Sequence, residues 1–220
     1  LKSGVDEALA LSGRETISVR NLMILGGGRI GEMVAAKLEK SLDSVKIVEI
    51  KPERCEELSQ NLNKTLVING DGRNSDVLID EDVKACDAFV AVTSSSETNI
   101  LSCVMAKKMG VPKVIAEVEN FEYIRLAESM GVDAVINKKL ITAGRIFRFT
   151  LSNKVRSIKV LSGTDAEVLE FIVPQNSKIT TDRIGDLGVP EDALIGGYIR
   201  GKDSYIADVT TRIKPYDQVV

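Results

Sequence analysis

The stretch that most constrains the fold is Asn21-Leu22-Met23-Ile24-Leu25 running into Gly26-Gly27-Gly28-Arg29-Ile30-Gly31. A short apolar run of this kind reads as a buried parallel strand, and it breaks at glycines just before a helical pattern begins. The spacing of Gly26, Gly28 and Gly31 is the G-x-G-x-x-G arrangement, in which each glycine has a separate task. Gly26 is expected to allow the tight strand-to-helix turn, Gly28 to let the backbone approach a pyrophosphate, and Gly31 to let the helix lie close on the sheet. Amide groups at the helix start, from Arg29 and Ile30 onward, would then face an anion.

Glycines are common wherever a strand turns into a helix, so the context decides. Ile30, Val34 and Leu38 recur at the four-residue spacing of an amphipathic helix. A second strand, Val45-Lys46-Ile47-Val48-Glu49-Ile50, then carries an acid roughly 20 residues past the glycines, the distance expected of a ribose-binding carboxylate. The plainer alternative is a doubly wound domain whose glycines only pack.

Composition removes several function classes. At 220 residues the chain has room for one large domain or two modest ones. A net charge of -3 argues against a nucleic-acid binder, and the isolated pairs Lys107-Lys108 and Lys138-Lys139 read as solvated helix ends. No apolar stretch approaches the ~20 residues needed to cross a bilayer, and no signal peptide is visible. A cytoplasmic location follows, with any membrane contact made through a partner. Cys55, Cys86 and Cys103 are an odd, scattered set without a C-x-x-C pair, and the chain has no histidine. Disulfide frameworks and zinc sites are therefore not expected, and the commonest general acid or base is missing.

Further along, strand and helix patterns alternate. Residues 1–20 include a helical pattern over Val5 to Leu11 and then a polar segment, and read as a linker from a missing upstream portion. A helix is expected from Glu53 to Leu62, a strand at Thr65 to Ile68, and a turn at Asn69-Gly70-Asp71-Gly72. A short helix follows from Ser75, then the apolar strand Ala88 to Val92, and then a hydroxyl-rich cap before a helix with Ile100, Val104 and Met109 inward. Strand Val114 to Val118, helix Tyr123 to Met130 and strand Ala134 to Ile136 complete the series. Such alternation predicts an α/β fold, a six-stranded, doubly wound parallel Rossmann-like sheet in 3-2-1-4-5-6 order.

After a helix from Lys139 to about Leu151 the pattern changes. Val168 to Val173 reads as a strand, Thr181 to Leu187 as a short helix, and Leu194 to Arg200 with Ser204 to Ala207 as a hairpin. The domain plan is thus a nucleotide-binding domain at 21–138, a connecting helix at 139–155 and a smaller α/β domain at 156–220, which ends as a strand begins and so reads as truncated. Ile141 to Leu151 is a candidate surface for self-association, or equally for packing between the two domains.

Taken together, the glycine turn, Ile47-Val48-Glu49, Gly70-Asp71, Val90-Ala91-Val92-Thr93 with Glu97 and Asn99, and the small trailing unit resemble the regulator-of-K+-conductance (RCK or KTN) domains of TrkA-type potassium-uptake proteins. Many of those proteins hold two such units in tandem, and residues 1–20 are similar to the joint that leads into the second. The resemblance implies a regulatory subunit, not an enzyme, at the inner face of the plasma membrane. It would bind NAD or NADH, alternatively ATP or ADP, self-associate into dimers or tetramers, and act on an integral membrane potassium transporter by conformational change. It also implies site roles: Gly26, Gly28 and Gly31 with Arg29 and Ile30 at the phosphates, and Glu49, followed by Ile50 and Lys51, at the ribose. Asp71, Gly72 and Arg73 would border the adenine, and Thr93, Glu97 and Asn99 the far lip. For Thr93, Glu97 and Asn99 a helix cap alone is the plainer reading, and for Asp71 a turn.

One departure bears on the ligand. Where the family often has a phosphate-reaching arginine after the fifth strand, this chain has Glu117, whose charge is expected to repel a triphosphate and favour NAD, with Arg73 as a replacement cation. The rival class is an NAD-dependent oxidoreductase. Tyr198 and Lys202 match a Tyr-x-x-x-Lys spacing, but Gly201 and the flanking alternation put them on a strand and turn. A redox-sensing DNA repressor would need a basic recognition helix, and none is visible.

Overall fold

A computed structural model of the chain describes residues 18–150, 155–160 and 167–220. The helical pattern at Val5 to Leu11, most of the expected linker and Leu151 lie outside the described residues. Two compact units divide between Lys139 and Leu140.

The first unit is built on six parallel strands: β1 (Asn21–Leu25), β2 (Ser44–Glu49), β3 (Leu66–Asn69), β4 (Ala88–Ala91), β5 (Lys113–Glu117) and β6 (Ala134–Ile136). Between them run α1 (Arg29–Leu38), α2 (Pro52–Asn61), α3 (Ser75–Asp80), α4 (Ser96–Lys108) and α5 (Phe121–Ser129). The spatial order is β3-β2-β1-β4-β5-β6, as the alternation predicts. Side chains alternate across a strand, so β1 feeds two cores. Met23 and Leu25 join Phe89, Ile100, Cys103 and Val114 on one face, and Leu22 and Ile24 join Ile47, Ala35 and Leu58 on the other. Burial of both faces is why the strands read as continuous apolar runs.

Local chemistry sets the helix ends. Asn74, Ser95 and Asn120 each accept a backbone N–H of the first turn of α3, α4 and α5, and Pro52 opens α2. Buried Glu39, just past α1, accepts the N–H groups of Asn63, Lys64 and Thr65 and the Thr65 hydroxyl. Those bonds, that of Lys64 foremost, hold its carboxyl down at about 2 against the cost of burial. The fully buried positions of α4 are Asn99, Ile100, Ser102, Cys103 and Ala106, while Val104, expected to point inward, is only partly buried. All three cysteines are free and buried.

In the second unit the strands β7 (Val155–Val160), β8 (Glu167–Ile172), β9 (Gly197–Arg200), β10 (Asp203–Ile206) and β11 (Gln218–Val219) form an antiparallel sheet in the order β10-β9-β11-β8-β7. A helix, α6, spans Lys138–Thr150 and crosses the division between the units. The expected hairpin is present as β9 and β10, turning at Gly201 with φ +66°. The expected helix at Thr181 to Leu187 is instead a pair of 3-10 turns, Lys178–Thr180 and Ile184–Asp186. Gly185 and Gly188 deprive that stretch of helix propensity, and Gly188 sits at φ +63°. Tyr198 lies on β9 and stacks on Tyr205 of β10, with ring centroids 5.0 Å apart, while Lys202 sits in the turn. That pair therefore shares no helical face. No helix among the described residues is long and apolar enough to cross a membrane.

Candidate nucleotide cleft

At the carboxyl end of the parallel sheet the strand order reverses between β1 and β4, and a cleft of about 500 Å³ opens there. Its floor is the β1–α1 turn. Gly26 has φ +106°, and a Cβ there would stand 2.9 Å from the Thr93 nitrogen on the neighbouring loop. At Gly31 a Cβ would fall 2.0 Å from the Gly26 carbonyl oxygen, so only glycine lets α1 sit against the turn. Gly28 differs, because a Cβ there would meet nothing within 4 Å. Gly28 is also the N-cap of α1 and offers no side-chain acceptor, so the first-turn amides of that helix have no side-chain cap.

One wall of the cleft comes from the end of β2. Glu49 accepts the Gly27 N–H at 2.7 Å through one carboxylate oxygen and the Lys51 N–H at 3.0 Å through the other. Gly27 is closely confined, since a Cβ would lie 2.5 Å from Leu58 Cδ1. Its carbonyl oxygen accepts the Arg54 Nε–H at 2.7 Å. The Arg54 guanidinium also pairs with Glu57 of its own helix at 2.6 Å and with Glu32 of α1. Asn61 donates to Glu32 as well, and with Arg54 it holds that carboxyl below the usual range.

Across the cleft stand the β3–α3 and β4–α4 loops. Asp71 takes the Arg73 guanidinium in a two-pronged grip at 2.9 and 2.6 Å and also accepts the Arg73 N–H. Arg73 accordingly holds the Asp71 carboxyl below its ordinary value. Gly72 has no room for a Cβ beside Leu25, and its carbonyl receives the buried Ser102 hydroxyl. Thr93 gives its N–H and hydroxyl to Asn99 Oδ1, at 2.9 and 2.7 Å. Asn99 Nδ2 in turn donates to the carbonyls of Thr93 and Glu117, which ties the lip of the cleft to β5.

Of the residues named from sequence, Gly26, Gly28, Glu49, Ile50, Lys51, Asp71, Gly72, Arg73 and Thr93 line this one cleft. Arg29, Ile30, Gly31, Glu97 and Asn99 are not among its lining residues. Gly31 lies under the turn, Asn99 is buried as a peg, and Glu97 accepts the Ser95 hydroxyl, its own N–H and that bond lowering its carboxyl. Arg54, Ser95 and Thr98 line the cleft without having been singled out. The expected repulsion by Glu117 is corrected. Its side chain is 4% exposed, pairs with Lys138 at 2.5 Å and is not part of the cleft wall, so it gives no reason to prefer NAD over ATP.

The match to known proteins covers the unit that carries this cleft. Residues 22–138, more than half of the chain, match the TrkA-N domain. The chain belongs to the TrkA-N family. A protein of Halomonas elongata named Trk system potassium uptake protein TrkA is 35% identical over 204 residues, which covers 91% of this chain and 44% of that one. A homologue of the same name from Archaeoglobus fulgidus is 33% identical over 201 residues, covering 91% and 45%. The chain therefore spans less than half the length of the curated relatives it matches. Among solved structures, a GsuK channel bound to NAD superposes with a TM-score of 0.58 at 16% identity, over 99% of this chain and 42% of that chain. At such identity the likeness concerns the fold alone.

Proposed function

We propose that the parallel-sheet unit is a nucleotide sensor in which an adenosine diphosphate moiety lies on the β1–α1 turn, and that the chain is a regulatory part of a potassium-uptake system. The observation that carries this reading is Gly28. It stands in open space at an uncapped helix N-terminus, the arrangement that receives a pyrophosphate on backbone amides. Glu49 adds a carboxylate fixed by two backbone N–H groups at the place where a ribose diol would follow. Asp71 and Arg73 would border the base, and Thr93 would face the second half of a dinucleotide. The names of the relatives and the NAD in the GsuK neighbour support the same assignment. NAD or NADH and ATP or ADP all carry the required diphosphate.

In this reading the ligand is not transformed. It shifts the populations of two arrangements of the assembled protein, and an integral membrane potassium transporter at the inner face of the membrane reads that shift. Residues 21–138 would be the sensing domain, 139–155 the connection, with Ile141 to Leu151 as a candidate surface for association of copies, and 156–220 the smaller C-terminal domain. Coupling requires that two nucleotides bind the two arrangements unequally, because equal affinity shifts nothing. Calorimetric titration of the chain with NAD, NADH, ATP and ADP tests the reading. Saturable binding of at least one is expected, and no binding of any at millimolar concentration would overturn it. Substrate-dependent oxidation of NADH would instead favour an oxidoreductase.

A further inference from the structure

We propose that Arg54, Glu32 and Glu57 form a selector that restricts the cleft to nucleotides with a free 2′,3′-diol and excludes those with a 2′-phosphate. The inference rests on the nucleotide reading above and adds residues from two helices to it. Arg54 lines the cleft beside Glu49, and the two side chains hold opposite ends of one residue: Glu49 accepts the Gly27 N–H, and Arg54 donates to the Gly27 carbonyl. A ribose held by Glu49 would thus place its 2′ position next to this guanidinium. An arginine so placed is the usual means of binding a 2′-phosphate, through its planar fork of donors.

Here that fork is already engaged. Glu57 takes one terminal nitrogen at 2.6 Å and Glu32 takes the other, while Nε is bound to Gly27. One positive charge faces two negative ones before Glu49 is counted. A 2′-phosphate, with close to two negative charges of its own, would meet a corner that stays net negative with Glu49 and Lys51 counted, and a guanidinium whose three nitrogens each already hold an acceptor. A diol needs no cation and is served by Glu49. The selection is therefore made twice, by Glu49 directly and by the two carboxylates that occupy Arg54.

The test is calorimetric measurement of Kd for NAD and for NADP on the same chain, with the ratio as the readout, so that any general loosening of the turn cancels. The unaltered chain is expected to favour NAD. Glu32→Gln/Glu57→Gln retains the side-chain shapes, removes both charges, and is expected to shift the ratio toward NADP by about tenfold. Glu57 is 63% exposed, so Glu57→Gln alone keeps the fold and should shift the ratio the same way by about threefold. Adding Arg54→Ala should abolish the shift. A ratio unmoved within about twofold in variants that still bind NAD would overturn the selector while leaving the nucleotide reading intact. A shift that survives Arg54→Ala would overturn it too. Failure of the unaltered chain to bind either dinucleotide would remove both.

Discussion

The two sheets of this chain solve the same problem with different means. The parallel sheet is packed on both faces, with Met23, Ile24, Ile47, Phe89 and Val114 fully buried. Among the described residues, the buried core of the antiparallel sheet is Val173, Ile213 and Val219, and all four residues of its edge strand β10 are exposed. A polar clasp supplements that core. Buried Asp217 accepts the Arg200 guanidinium at 2.9 and 2.6 Å and the Lys214 N–H at 2.7 Å. Burial alone would raise the Asp217 carboxyl, but Arg200 and Lys214 together bring it below its ordinary value. Helices on both faces leave a parallel sheet only its strand ends for a ligand, and the cleft is where that rule places it.

The contrast predicts unequal responses. Phe89→Ala should cost about 3–5 kcal/mol and lower the unfolding transition of the first unit, followed by circular dichroism in urea. Glu39→Ala should cost about 2–3 kcal/mol by stranding three backbone donors. Because its folded value of about 2 is below the ordinary 4.5, the Glu39 contribution is complete above about pH 4.5 and disappears as the pH falls toward 2. Glu39→Gln should flatten acid unfolding over that window. Val219→Ala, in the smaller core, should cost about 1–2 kcal/mol and move only the transition of the second unit. If it moved both equally, the contrast would fail. Gly28→Asp should change stability by no more than about 0.5 kcal/mol, since its side chain enters open space, yet abolish nucleotide binding by placing a charge at the phosphates. Smallest of all should be the effect of salt on nucleotide affinity. Both arginines on the cleft wall are already paired with carboxylates, which leaves Lys51 as the cation there to respond, so raising salt from 50 to 200 mM should change Kd only about two- to threefold.

The first unit was legible because burial on both faces writes strands as apolar runs, and because fixed glycine spacing locates Glu49 by counting along the chain. The second was harder to read. β7 carries Arg156 and Lys159 among its apolar residues and gives no clean strand pattern, and the stretch from Thr181 to Leu187 has helix-like spacing that Gly185 and the following Gly188 undo. Within the cleft, Arg54 went unnoticed because its partners Glu32 and Glu57 lie on two helices, one of them far away in sequence. Glu117 is a case of the same kind. A carboxylate looks repulsive until its partner is known, and Lys138 sits beyond another helix and strand.

The placement of β11 has a consequence for how the chain acquires its shape. This strand is inserted in the middle of its sheet, between β9 and β8, with Gln218 facing Ile172 on one side and Ile199 on the other. On a ribosome, the β7–β8 and β9–β10 pairs can each form as they emerge, but the strand that joins them is made only when the segment around Gln218 and Val219 clears the exit tunnel. Closure of that sheet therefore waits for the segment from Tyr216 to Val220, whose backbone also bonds Val173, Gly196 and Gly197, whereas the cleft-bearing sheet is fully translated well before it.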